Sequence, residues 1–316
     1  MFCGTGAVSH ALGLTGRRVV ASDHLRLCVT LAEASLLAPA PSFSGLRNDV
    51  RPSPRVSMYE ALLDALQQEP AHPGFIHATY SPASGRRGPQ ERRYFTEDNA
   101  ARIDTVRARI GAWEDRLTRG ERAVLLRDLV VAASRVSNTA GTYGCFLRQW
   151  KARALEPLRL EPRPGPYAGG IGHEVHHGEA VEAARIDTVD AIYLDPPYTK
   201  RQYAAYYHVL ETIVAGDEPA VEGVTGLRPW RHRDSDFCHR RRASQALRTL
   251  VAGVNARKIF LSYSDDGHLE HETILEILRS RGTVRWWEQP LRRYRSSRLE
   301  HASRAVNERL YALTLS

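Results

Sequence analysis

Ala191-Ile192-Tyr193-Leu194-Asp195-Pro196-Pro197-Tyr198 sets an acid, two prolines and an aromatic at the end of an apolar run. A short apolar run bounded by turn formers reads as a buried strand. The prolines end it, because they donate no hydrogen bond and fix φ, and so hold their carbonyls in place. Such a turn suits a planar amino group like the exocyclic nitrogen of adenine, whose lone pair is delocalised into the ring. Asp195 can accept one N–H and the Pro196 carbonyl the other, helping the nitrogen pyramidalise and stabilising the positive charge that grows on it. Tyr198 offers a face on which the base can stack. A bare Asp-Pro-Pro triplet is more often a plain turn; the added tyrosine and the strand in front favour the site.

Working outward, Phe2-Cys3-Gly4-Thr5-Gly6-Ala7-Val8-Ser9 reads as a glycine-rich turn entering a helix, and Arg18 to Asp23 as a short strand ending in an acid. This is the βαβ order of a nucleotide-binding sheet, in which glycines admit the ligand and the acid takes ribose hydroxyls. Ser9 stands where a third glycine belongs, so the match to a dinucleotide fingerprint is poor. On the other side, strands are expected at Asp190 to Asp195 and Ile259 to Ser264, and helices at His208 to Val214, Ala243 to Val254 and Glu272 to Arg279. Strand Val284 to Trp287 can pair with Leu310 to Leu315 as a hairpin.

The middle of the chain reads as mostly helical. Ser57-Met58-Tyr59-Glu60 is a capping box opening a helix that ends near Pro70. Thr96 can cap a second helix, with Ile103, Val106, Ile110, Trp113 and Leu117 recurring at helical spacing, and Thr118-Arg119-Gly120-Glu121 opens a third. These stripes are core. Tyr80 to Tyr94 is a loop rich in Gly, Pro and Arg, and Pro157 to Gly172 reads as a linker. The expected organisation is an α/β domain at 1–38 and 172–316, split by a helical insertion at 39–171.

At 316 residues, 42% of them hydrophobic, the chain can bury one large core or two modest ones. No apolar run approaches the roughly 18 residues of a membrane helix, and the chain does not open like a signal peptide, so cytoplasm is expected. Cys3, Cys28, Cys145 and Cys238 lack paired spacing, which argues against a disulfide framework or a zinc site. His173, His176 and His177 have no paired motif either; they are expected to be solvated or near the substrate, with no metal. The net charge of +8 points toward a polyanion. Arginines cluster at 86, 87, 92 and 93, at 228, 231 and 233, at 240–242, and at 292, 293, 295 and 298. Each cluster lies beside Gly, Pro or aromatic residues, as expected of loops touching phosphates, with solvated surface as the even alternative for any one of them.

Together the chain resembles the Dam-like class of adenine-specific DNA methyltransferases, and within it the FokI-type modification methylases. The resemblance rests on Phe2 to Gly6, Tyr94-Phe95-Thr96 with Asn99, Asn138 to Gly141, Asp195 to Tyr198, Arg201-Gln202-Tyr203 and Leu261 to Ser264, in one order. It implies a Rossmann-like methyltransferase sheet, S-adenosylmethionine as methyl donor, base flipping and double-stranded DNA as partner, and it leaves room for a cognate restriction enzyme. Carried over, Phe2, Gly4 and Gly6 line the donor's methionine end, Asp23 its ribose and Glu179 its adenine, with Asp195 beside them. Asp195, Pro196, Pro197 and Tyr198 hold the target base. Arg86, Arg87, Arg92, Arg93, Arg201, Tyr203, Arg293 and Arg295 are the candidate DNA contacts, and the insertion is expected to supply most base-specific ones.

Such a sheet has a strand before its glycine loop, whereas this chain opens at Met1-Phe2. The first strand is therefore expected to be missing, through a start placed too late in the gene rather than through a truncated, inactive form. The rival readings are methylation of RNA or of a protein glutamine, and an inactive DNA-binding homologue.

Overall fold

Helices begin where a capping side chain precedes a periodic apolar stretch, and strands lie where apolar residues run or alternate. The computed structural model describes residues 1–38, 40–163, 172–183, 189–292 and 305–315. From the glycine turn the chain enters α1 (Ala7–Leu14), crosses β1 (Val20–Asp23) and returns through α2 (Arg26–Leu36). Four helices follow: α3 (Met58–Gln68), α4 (Phe75–Tyr80), α5 (Glu97–Ala112) and α6 (Arg119–Arg135). Ser57 and Thr118 each close a capping box, and Thr96 accepts from the Asn99 amide, as expected. Each such cap contributes about 1 kcal/mol.

The chain then forms β2 (Glu174–His177), α7 (Ala180–Ala183), β3 (Val189–Leu194), α8 (Tyr203–Tyr206), α9 (His208–Ala215) and α10 (Ala243–Gly253). It ends in β4 (Ala256–Ser264), α11 (His271–Arg279), β5 (Gly282–Arg292) and β6 (Ala305–Leu315). Among the described residues β1 and β2 pair in parallel, and a second sheet runs in the order β3-β4-β6-β5. There β3 and β4 are parallel, while β6 lies antiparallel to both β4 and β5. The hairpin is longer than its apolar stretches suggest. Its register sets Glu288 opposite Arg309, and their side chains form an ion pair at 2.6 Å.

Strand β2 was not legible in the sequence. Glu174-Val175-His176-His177 does not alternate clearly, and it becomes a strand because β1 pairs with it, Asp23 opposite His177. His173, expected to be solvated or near the substrate, is instead buried, with Nδ1 accepting from the Val19 amide at 3.1 Å.

Among the described residues three apolar clusters hold these elements. The largest joins the helical segment to the sheet side: Ile103, Val124 and Leu129 pack with Leu27 and Ala34 of α2 and with Val209 and Ile213 of α9. The helical segment thus shares one core with its neighbours, and truncating one of these buried aliphatics costs about 2–5 kcal/mol. A second cluster lies between the larger sheet and α10 and α11, and a third between β1, β2 and α2. Met1 to Cys3 spans the two sheets. The Met1 amino group donates to the Tyr193 carbonyl at 2.8 Å, and the Cys3 amide donates to the Ser22 carbonyl at 3.1 Å. Among the described residues no helix is long and apolar enough to cross a membrane.

Candidate active site

The parallel strands bring their carboxyl ends to one edge, where ligands of open α/β sheets bind. On one side stands the glycine turn. Gly4 and Gly6 have φ of 53° and 79°, the left-handed region that glycine enters without penalty. At Gly6 a side chain is also blocked, because a Cβ would lie 3.2 Å from the Ala32 Cα. Phe2 adopts a φ of 55° without that freedom, and its ring meets Phe237 edge-on at 5.5 Å.

Asp23 closes β1 beneath this turn. Its Oδ2 accepts from the Gly4 amide at 3.1 Å and its Oδ1 from the Leu25 amide at 3.0 Å. The carboxylate thus ties the glycine turn to the start of α2, and each oxygen keeps acceptor capacity for a further donor. The Gly178 amide donates to the Asp23 carbonyl at 3.0 Å, fixing the end of β2 beside that of β1. Glu179, next in the chain, is exposed at the same edge.

Asp195 follows the last residue of β3. Its side chain is open to solvent at the edge, yet the surrounding protein withholds enough water to raise its pKa to about 6, helped by the Glu308 carboxylate and opposed by the Met1 ammonium. Glu308 lies on β6, where it accepts from the Ser262 hydroxyl at 3.0 Å, and its own pKa is raised by burial. No sequence signal marked Glu308, since only the antiparallel register of β6 brings it to the edge. Pro196 and Pro197 are buried and Tyr198 is half-buried. The Tyr198 ring meets Tyr263 edge-on at 5.9 Å, and its carbonyl accepts from the His268 amide at 2.8 Å.

Beyond the turn, Arg201 is exposed, while Gln202 is buried and bonded to Asp234 and to the Ser235 backbone. Tyr203 is 39% exposed and stacks on Tyr207 at 6.0 Å with an interplanar angle of 10°. Tyr207 packs against the large core, as a helix-packing aromatic does.

In the arginine loop most of the guanidinium groups are engaged. Arg92 donates to the carbonyls of Val224 at 3.0 Å, Gly223 at 3.0 Å and Thr79 at 3.3 Å. Arg93 bonds Glu91 and the Arg148 carbonyl, both at 2.7 Å, and Arg86 pairs with Glu97 at 2.9 Å. Arg87 is exposed and has no such partner among the described residues. Arg293 and Arg295 lie outside the described residues. Other residues behind the resemblance serve the scaffold. Asn99 bonds the backbone of Glu156 and Leu158, and Asn138 that of Leu147 and Lys151.

Comparison with known proteins follows the same lines. The family model described as D12 class N6 adenine-specific DNA methyltransferase matches residues 1–277. The Type II methyltransferase M.FokI of Planomicrobium okeanokoites is 34% identical over 314 residues, 96% of this chain and 46% of that protein. The Type II methyltransferase M.NlaIII of Neisseria lactamica is 31% identical over 309 residues, 97% of this chain and 86% of that protein. The modification methylase StsI of Streptococcus sanguinis is 31% identical over 245 residues, 76% of this chain and 36% of that protein. The chain therefore spans less than half of two of these relatives and most of the third. No solved structure matches.

Proposed function

From the premise that the chain belongs to the D12 class of N6 adenine-specific DNA methyltransferases, we propose that it methylates the exocyclic amino nitrogen of adenine in a specific duplex DNA sequence, after flipping the base out of the helix. The observation that carries this reading is the Asp195 turn at the carboxyl end of β3, fastened to the glycine turn through Met1 and Tyr193.

The donor's place is the edge formed by Phe2, Gly4, Gly6, Asp23, Glu179 and Asp195. The fit rests on the open glycine turn, the spare acceptor capacity of Asp23 and the exposed Glu179 beside it. S-adenosylmethionine, when bound, supplies an electrophilic methyl carbon on a sulfonium centre. The Asp195 carboxylate and Pro196 carbonyl accept the two amino hydrogens, which directs the nitrogen lone pair out of the ring plane. Tyr198 stacks on the base, returning roughly 1–3 kcal/mol against a flipping cost of a few kcal/mol. Asp195, its pKa pushed up to about 6, is suited to take the proton that the methylated nitrogen sheds.

On this reading the two sheets act as one Rossmann-like sheet through Met1 to Cys3. Residues 1–38 and 172–316 are catalytic, and 39–171 recognise the target. Exposed Arg87, Arg201 and Tyr203 are the first DNA contacts to test, followed by Arg293 and Arg295. The relatives' description as type II methyltransferases supports a cognate restriction enzyme as partner and the cytoplasm as location. Mapping modified adenines in DNA from cells expressing the chain tests the function. Methylation confined to one short motif is expected, and its absence overturns the reading.

A further inference from the structure

We propose that a basic cavity beside the clamp, built by a cluster the catalytic reading leaves unused, holds the sugar-phosphate backbone of the strand whose base enters the Asp195 turn. The cavity has a volume of about 520 Å³ and is lined by Lys200, His239, Arg240, Arg241, Arg242 and His268, with Cys238 among them. Lys200, Arg240 and Arg241 are exposed and make no hydrogen bond or ion pair among the described residues. Arg242, in the same lining, is different, since it pairs with Asp234 at 3.1 Å and Asp236 at 2.7 Å. Asp234 also holds His239 at 2.7 Å. Asp234 and Asp236 are thus matched by Arg242, with His239 also on Asp234, and among the described residues Lys200, Arg240 and Arg241 are left over. That is the composition of a site for a phosphodiester.

Position identifies which phosphodiester. The wall of the cavity and the clamp are one hydrogen-bonded unit. The His268 amide donates to the Tyr198 carbonyl at 2.8 Å, and the Cys238 thiol to the Arg201 carbonyl at 3.3 Å. The His268 ring nitrogen meets the Cys238 carbonyl at 3.1 Å, and Gln202 is fastened to Asp234 and Ser235. Lys200 itself follows Tyr198 by two residues, so the cations keep a fixed offset from the base-holding atoms. A flipped nucleotide leaves its phosphates outside the base pocket, and fixed cations there lock the backbone in the rotated state. The contact positions the strand without reading sequence.

This inference rests on the clamp acting on DNA, and one experiment separates the two. Binding of a labelled duplex cut from plasmid DNA is measured over a range of potassium chloride for the full chain, for R240Q/R241Q, for R240K/R241K, and for Arg257→Gln at the opposite end of β4. Methylation of the same duplex is followed alongside. Each lost phosphate contact lowers the slope of log affinity against log salt by about 0.9. R240Q/R241Q is expected to lose about 1.8 from the slope and to raise KM for DNA by about 10-fold with kcat retained. The lysine pair keeps the slope, because counterion release counts charge, and Arg257→Gln leaves it unchanged. An unaltered slope in R240Q/R241Q, with the native chain methylating adenine, overturns the cavity assignment alone. Absence of both adenine methylation and salt-dependent binding in the native chain overturns the clamp reading and the cavity with it.

Discussion

The Asp195 turn and the Tyr80–Tyr94 loop are both rich in polar groups, but the fold treats them oppositely. At the turn the scaffold supplies the anchors and leaves the chemistry uncommitted: Gln202, His268 and Cys238 secure the backbone while the Asp195 carboxylate stays open at the sheet edge. In the loop the polar groups are themselves the anchors, and Arg92 alone gathers three backbone carbonyls. A charged cluster in a sequence therefore does not reveal availability; an account of each group's hydrogen bonds does.

The contrast breaks most visibly at its two extremes. Asp195→Ala removes an acceptor that acts on charge developing in the transition state, so kcat should fall by about 10²–10³-fold with stability little changed. Methyl incorporation and a denaturation curve measured on the same sample check both halves. Arg92→Ala should do the reverse, costing about 1–2 kcal/mol of stability by removing the charged donor that three backbone carbonyls share, two of them at the surface. Arg87→Ala, by comparison, should stay within about 0.5 kcal/mol. Equal midpoints in urea for these two variants would show that the loop is no strap.

Tyr198→Ala should weaken productive DNA binding by roughly 1–3 kcal/mol, whereas Tyr198→Phe keeps the stacking face and should stay near the native value. A large loss in the phenylalanine variant would assign the role to the hydroxyl instead. The acidic limb of the pH profile sharpens the same comparison. Asp195 is a carboxylate whose pKa is raised to about 6, so the accepting form dominates above that value and is lost as pH falls through it. kcat/KM should therefore decline on the acid side of about pH 6, approaching a tenfold loss per further unit. Replacing Glu308 with glutamine should move that limb downward, because a neighbouring negative charge is removed.

Much of this was legible in the sequence. The Pro-Pro-Tyr turn, the apolar strands before Asp195 and through Ile259, and the capping boxes at Ser57 and Thr118 depend on neighbours a few residues apart. What escaped depends on distant pairing. β2 exists because β1 lies beside it, Glu308 reaches the edge through the register of β6, and the hairpin is extended by a cross-strand ion pair. The arginines at 92 and 240 look alike in sequence, yet one is spent on carbonyls and the other has no partner among the described residues.

The central claim is that Asp195 holds an adenine amino group in DNA. Modified adenines should be mapped in DNA from cells expressing the native chain and from cells expressing Asp195→Ala at equal protein level. Methylation at one short motif is expected in the first and at most a trace of it in the second, in line with a kcat lowered about 10²–10³-fold. Methylation at the native level after the substitution would contradict it.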